Sequence, residues 1–313
     1  MPTKLLLLIT LICACGQSAR GRDINLPESA AALSAPLDAA PRRGTLYRVS
    51  HAGRISYLFG TIHVGKQGFF PLEPEVTRAL AASSALVIEL DIRDEAPFQL
   101  ALDKHGIYPA GQTIVEHLSP DTLDRLLLAL AQAGLSLHTV ERYKPWLVAN
   151  LLVGVELEHH GFERSRAVEY FLLDAAEKQD KAVRELESAD YQLALFDTMD
   201  DAQQESYLRE NLKDLDNGDS LKKSEDLISA WSSADPPRIA AVLRELTSGD
   251  TVSAAFMQNM LLGKRNPEMA SSIERIMQRD QVAFVGVGLL HLVGEQGLPQ
   301  LLRQRGYEVE KLY

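Results

Sequence analysis

Two histidines of this chain stand in the same short pattern. Tyr57-Leu58-Phe59 runs into Gly60-Thr61-Ile62-His63, and Phe284-Val285-Gly286-Val287 runs into Gly288-Leu289-Leu290-His291. Each is an apolar run, a glycine, two residues and a histidine. Glycine lets a backbone leave a sheet sharply or approach a ligand closely. The histidine then stands at the carboxyl end of its strand, the rim where open α/β sheets carry their ligand sites. A third apolar run, Ala85-Leu86-Val87-Ile88-Glu89-Leu90, carries one acid, with Asp91 two residues on and on the same face. Two imidazoles and a carboxylate from three strands make a His/His/Glu set for a divalent metal with positions open to water. The alternative is that His63 and His291 are satisfied side chains that anchor loops. Glu89 is a third ligand, a general base that activates water, or a structural partner of Arg265. Buried and unpaired, its carboxyl would have a raised pKa, which suits a base.

No other feature competes. His159 and His160 are adjacent in a helical stretch and diverge, a poor arrangement for joint chelation. His105, His117 and His138 have no partner pattern, and Trp146 and Trp231 read as packing residues. H-E-x-x-H, P-loop and G-x-S-x-G motifs are absent, which removes the ordinary zincin, P-loop NTPase and common α/β-hydrolase readings. Cys13 and Cys15 are the only cysteines, so the folded body has no zinc ribbon, iron–sulfur cluster, disulfide framework or thiol nucleophile.

The elements that must position these residues come from both ends of the chain. Thr45–Ser50 and Ile55–Gly60 read as a hairpin around His51-Ala52-Gly53-Arg54, and Pro71–Ser84 as a helix. With the strand at Ala85–Leu90 this makes a βαβ unit, which predicts parallel pairing of its two strands. From about residue 100 to 265 the pattern is helical, with Ser119-Pro120-Asp121 as a start signal, Gly134 as a stop, and one short strand candidate, Val183–Leu186. A helix over Asn266–Arg279, a buried strand over Gln281–Val287, a helix over Gly297–Arg305 and a final alternating strand over Tyr307–Leu312 follow. The expected fold is therefore α/β: a mixed, mostly parallel sheet built from both chain ends, with a largely helical central insertion.

Length and charge bound the rest. The 313 residues include 43 Asp and Glu against 32 Lys and Arg, a net charge of -11, which disfavours sequence-independent binding to nucleic acid. Lys4 followed by Leu5–Ile12 and then Cys13-Ala14-Cys15 resembles a bacterial lipobox, with cleavage before Cys15 and lipidation of that thiol; a plain signal peptide is the alternative. Residues 16–43 read as a tether, Gly16 after the cysteine as an outer-membrane signal, and residues 44–313 as the folded domain.

Leu58–Gly65, Val87–Asp91, Arg265-Asn266, Gly286–Gly294, Gly297-Leu298 and Gly306-Tyr307 together resemble the TraB/GumN family, over roughly residues 45–313. That family includes the Tiki proteases, described as manganese- or cobalt-dependent, and its fold resembles the erythromycin-esterase (EreA) and ChaN-like group. The resemblance implies that His63, His291 and Glu89 form the metal-dependent active site, with Mn2+ or Co2+ as the metal and Zn2+ as the alternative. Where many bacterial members carry Gly-Val-Asp, this chain has Ala167-Val168-Glu169, a carboxylate one methylene longer. Arg265 and Asn266 are candidates to hold an oxyanion or a substrate carboxylate. The alternative has Asn266 capping a helix that Pro267 begins. Glu187 is a further acid near the same rim.

The expected function is an envelope-anchored metal-dependent hydrolase, a peptidase acting on peptide or protein, attached to the outer membrane and facing the periplasm, with no nucleic-acid partner. The alternative is a non-catalytic lipoprotein that sequesters a peptide, haem or another small ligand. Substrate and oligomeric state are not encoded in any motif.

Overall fold

The computed structural model describes residues 42–279 and 282–313. The lipobox cysteines Cys13 and Cys15 and nearly all of the expected tether lie outside the described residues. Strands β1 (Leu46–His51) and β2 (Arg54–Thr61) form the hairpin, followed by α1 (Pro74–Ala82) and β3 (Ala85–Ile88). The middle runs through α2 (Glu95–His105), α3 (Pro120–Gln132), α4 (Leu137–Val140), α5 (Pro145–His159) and α6 (Val168–Lys178), and returns to the sheet as β4 (Ala182–Glu185). It continues as α7 (Ala189–Phe196), α8 (Asp201–Asn217), α9 (Asp219–Ser233), α10 (Pro236–Thr247) and α11 (Val252–Phe256). A π-helical stretch, Met257–Lys264, leads without a break into α12 (Arg265–Arg279). The chain ends with β5 (Ala283–Gly288), a 3-10 turn at Leu289–Leu292, α13 (Leu298–Gln304) and β6 (Glu308–Lys311).

The expected architecture holds, with one instructive difference in strand order. The sheet runs β4-β3-β5-β2-β1-β6. β2 and β3 do not pair directly, as the βαβ reading predicted; β5 lies between them, parallel to both. Its residues Ala283, Phe284, Val285 and Val287 are buried, so it gains most by lying inside the sheet with neighbours on both edges. The consequence for function is direct. Thr61 of β2 pairs with Gly288 of β5, and Ile88 of β3 pairs with Gly286. The two G-x-x-H segments and Glu89 thus leave three adjacent strands at the same rim.

Each face of the sheet has its own helix layer. Leu58, Val87, Val285 and Val287 pack on Met269, Ile273 and Met277 of α12 and on Leu298 and Leu302 of α13. Phe59, Leu86, Ile88 and Phe284 pack on Val76 and Leu80 of α1 and on Val168, Leu172 and Leu173 of α6. α9 and α10 add Ile228, Trp231, Ile239 and Val242 to this same core, while α2, α3, α5, α7, α8 and α11 build another around Trp146, Phe196, Leu208 and Phe256. At its centre α5 is apolar nearly all round and buried along its length, as an interior helix must be. Trp231 of α9 ties the middle to the sheet: its Nε1 donates to the carbonyl of Gly60 at 2.9 Å. Among the described residues no helix is long and apolar enough to cross a membrane.

Candidate metal centre and active site

β5 brings the site together through a single glycine. A Cβ built on Gly288 would stand 3.3 Å from Glu89 Oε1, 3.4 Å from His63 Nε2 and 3.6 Å from His291 Cδ2. The missing side chain is therefore the space around which the three predicted residues gather. The Gly288 N–H donates to Glu89 Oε1 at 2.7 Å, and His291 Nε2 lies 3.7 Å from the same oxygen.

Each imidazole turns its other nitrogen to a residue outside this set. His63 Nδ1 lies 2.9 Å from Oε1 of Glu169, in the first turn of α6. His291 Nδ1 pairs at 2.5 Å with Oδ1 of Asn266 in α12, whose Nδ2 donates to the carbonyl of Gln296. An amide oxygen only accepts, so His291 carries its proton on Nδ1 and leaves Nε2 as a lone-pair donor. Burial, the unfavourable field of Arg265 and that of His63 hold His291 down at about 3, against the pull of Glu89. For His63, burial also opposes the charged form. The charge and hydrogen bond of Glu169, with Glu89 behind, outweigh it and raise His63 to about 9.

Of the three readings of Glu89, the structure shows the pairing with Arg265 and not the unpaired acid. Arg265 Nη2 donates to its Oε2 at 2.6 Å. Burial alone would raise its carboxyl, but Arg265 and the two imidazoles hold it well below the usual carboxylate range. A carboxylate held ionised in this way suits a ligand better than a base. Arg265 in turn is gripped by Glu187 through Nε at 3.0 and 3.1 Å and through Nη2 at 2.7 Å. Gln192 Nε2 adds a bond to Glu187 at 2.9 Å. Glu187, a weak candidate in the sequence, is thus part of the site, and burial pushes its carboxyl up against the pull of Arg265.

Three further expectations change. Asn266 does not cap a helix: α12 is continuous with the π-helical stretch before it, and both polar atoms of the Asn266 amide are spent on His291 and Gln296. One Nδ2 proton is thereby held by Gln296, and the amide is oriented by His291 rather than by an oxyanion. Arg265 Nη1 has no hydrogen-bond partner among the described residues and keeps the capacity to donate to an oxyanion. Asp91 lies outside the site: β3 ends at Ile88, and the Asp91 carboxylate takes Arg93 instead. Other histidines make local contacts, His105 with Asp190 and Asp197 and His117 with Asp201.

Among the described residues no group of three His, Cys, Asp or Glu side chains is closed into a ready metal cluster. The donors nonetheless fit a divalent cation by their chemistry. Two imidazole Nε2 atoms and one carboxylate oxygen face one small space, and each Nδ1 is engaged by an acceptor, the second layer that metal-binding histidines carry. The charge fits as well. The side chains of Glu89 and Glu187 are buried against Arg265 and that of Glu169 against His63, three acids to two cationic partners, and Glu169 Oε2 is buried without a hydrogen-bond partner among the described residues.

A three-layer α/β/α domain with two imidazoles and a carboxylate at the rim of its parallel strands defines the class. The chain belongs to the TraB/PrgY/gumN family, whose model matches residues 45–311. It is 28% identical over 256 residues to uncharacterized protein YbaP of Shigella flexneri, covering 80% of this chain and 88% of the relative. It is also 28% identical over 310 residues to metalloprotease TIKI1 of Homo sapiens, and 26% over 302 residues to the protein of the same name in Danio rerio. These alignments cover 82% of this chain and 59% and 60% of those relatives. No solved structure gives a significant match.

Proposed function

We propose that the chain is an envelope-anchored, metal-dependent peptidase. The observation that carries this reading is the space at Gly288, bounded by His63 Nε2, Glu89 Oε1 and the His291 ring. The similarity to metalloproteases supports it. His63, His291 and Glu89 would hold the ion, with Mn2+ or Co2+ as the metal. A bound divalent ion supplies a Lewis acid for a carbonyl and makes a water nucleophilic near neutral pH.

The protein's own groups do the rest. Asn266 keeps the His291 proton on Nδ1, so that Nε2 stays a donor of electrons. Glu169 orients His63 and takes up its Nδ1 proton interaction. Glu187 aims Arg265, whose free Nη1 donates to the carbonyl oxygen as negative charge grows there. His63, with 36% of its side chain exposed, marks the open side of the site, whereas His291, Glu89 and Arg265 lie beneath it. The anchor rests on Cys15 and places the enzyme on the outer membrane, facing the periplasm.

Calorimetric titration of Mn2+ into the chelator-treated protein tests the reading, beside a His63→Ala/His291→Ala variant. Saturable binding that the variant loses, together with chelator-sensitive cleavage of a peptide pool, is the expected result. Equal binding by both proteins, or none by either, rejects it.

A further inference from the structure

β4 forms one edge of the sheet, and no described strand pairs with its outer side. Leu186, just beyond it, donates its N–H inward to the carbonyl of Ile88 at 2.9 Å. In a parallel ladder alternate residues turn their N–H and C=O the same way, so Ala182 and Arg184 face β3 while Val183 and Glu185 present theirs to the open edge. The opposite edge, β6, carries Glu308, Glu310 and Lys311 and lies beyond β1, four strands from β3. β4 differs because its continuation enters the active site: Glu187, two residues past its end, holds Arg265.

The same continuation forms the wall of a cleft of about 670 Å³. Leu186, Glu187 and Tyr191 line it beyond β4, Pro267, Glu268 and Arg275 line it from α12, and Arg305 is also in its wall. That volume is of the size that holds a few residues of a bound ligand. Arg305 is already paired with Glu274, whereas Arg275 forms no ion pair among the described residues and bonds only to Ser272 of its own helix.

We infer that β4 and this cleft form the docking subsite for an extended peptide, which adds as a strand to the open edge and continues into the cleft with an acidic side chain against Arg275. The choice of a peptide as occupant rests on the proposed peptidase reading. The geometry adds where the chain runs: main-chain bonds at Val183 and Glu185, then past Glu187 toward Arg265. Recognition through an edge strand depends on backbone groups and tolerates varied side chains.

The test reads binding without turnover. Fluorescein-labelled, end-capped ten-residue peptides from a degenerate pool are titrated against the full chain in chelator and followed by anisotropy. The best binder is resynthesised with N-methyl groups on one or the other set of alternate residues. The expected result is saturable binding by an acid-containing peptide. One N-methylated set weakens it about tenfold or more, the other is tolerated, and Val183→Pro, which removes an outward N–H, reproduces the loss. Arg275→Glu shifts the preference away from acidic peptides. The N-methyl arm leaves the protein untouched, so it stands even if Val183→Pro unfolds. No saturable binder, or a binder indifferent to N-methylation and to Arg275→Glu, overturns the subsite. Mn2+ titration of the same protein after the chelator is removed separates the two ideas: absence of metal binding alone rejects the peptidase, and absence of the edge effects alone rejects the subsite.

Discussion

The two G-x-x-H segments share a pattern and a rim, yet the protein gives them opposite characters. His63 follows β2 in an open bend, faces a carboxylate, and is raised to about 9. His291 sits in a 3-10 turn, is buried, faces an amide, and is lowered to about 3. Their glycines differ as well. At Gly60 a Cβ would meet Leu289 Cδ1 at 2.8 Å, so the missing side chain makes room for packing. At Gly288 it would meet Glu89 and His63, so the missing side chain leaves the space that these polar groups border. The register sets this apart: Gly60 pairs with Val287, one residue short of Gly288. A shared motif therefore fixes where a histidine emerges, and the residues packed against it fix its charge.

Exchanging the glycines breaks the comparison most sharply. Gly288→Ala places a methyl in the space between Glu89 and His63 and is expected to lower Mn2+ affinity about 100-fold, with little change in thermal midpoint. Gly60→Ala is expected to do the reverse, keeping affinity near wild type while costing about 1–3 kcal/mol in denaturant unfolding through overpacking. Equal calorimetric titrations of wild type and Gly288→Ala would show that the three side chains do not share a ligand space.

The partners come next. Asn266→Ala frees the His291 ring and is expected to weaken Mn2+ binding about 10-fold or more. Glu169→Gln acts on pH instead. A cation needs the neutral His63 ring, so affinity rises with pH up to about 9 in the wild type. Without the Glu169 charge that midpoint moves down toward the ordinary histidine value. An unchanged pH profile would detach Glu169 from His63.

The metal-free protein should show both characters in its stability. His63 is raised above 6.5, so its contribution is complete below that pH and is lost as pH rises through about 9. His291 is lowered, so the unfolded chain takes up protons that the folded one does not, and its contribution is lost as pH falls below 6.5 toward 3. Chelator-treated protein should therefore lose stability on both sides of 6.5 from these two groups. His63→Gln flattens the alkaline limb and His291→Gln the acid limb in urea titrations. The smallest effect is at the bond from α9 to the sheet: Trp231→Phe removes the bond to Gly60 and should cost about 1 kcal/mol without altering metal affinity.

Much of this site was legible in the sequence because its signals are local. An apolar run, a glycine and a histidine are contiguous, and so are Val87–Asp91 and Arg265-Asn266. The partners were harder to read. Glu169, in the first turn of α6, was marked only as the counterpart of a carboxylate in the family, and folding alone joins it to His63. Glu187 follows a four-residue strand, too short to show a period, and the pairing of β4 with β3 is what carries it to Arg265. Asn266 before a proline reads as a cap, because the π-helical stretch that continues through it leaves no clear mark in the sequence.

By itself the sequence determined the α/β class, the strands that both chain ends supply, the family, and the three residues at the rim. These follow from side-chain periodicity and short-range backbone preference, which neighbouring residues settle among themselves. Only the tertiary structure decided that β5 enters between β2 and β3, which oxygen each imidazole faces, and that Glu89 is held ionised by Arg265. Those outcomes depend on groups as far apart in the chain as Thr61 and Gly288, or Glu89 and Arg265, meeting where water is excluded. Burial there turns a difference of one partner, carboxylate or amide, into opposite protonation of two histidines that the sequence presents alike.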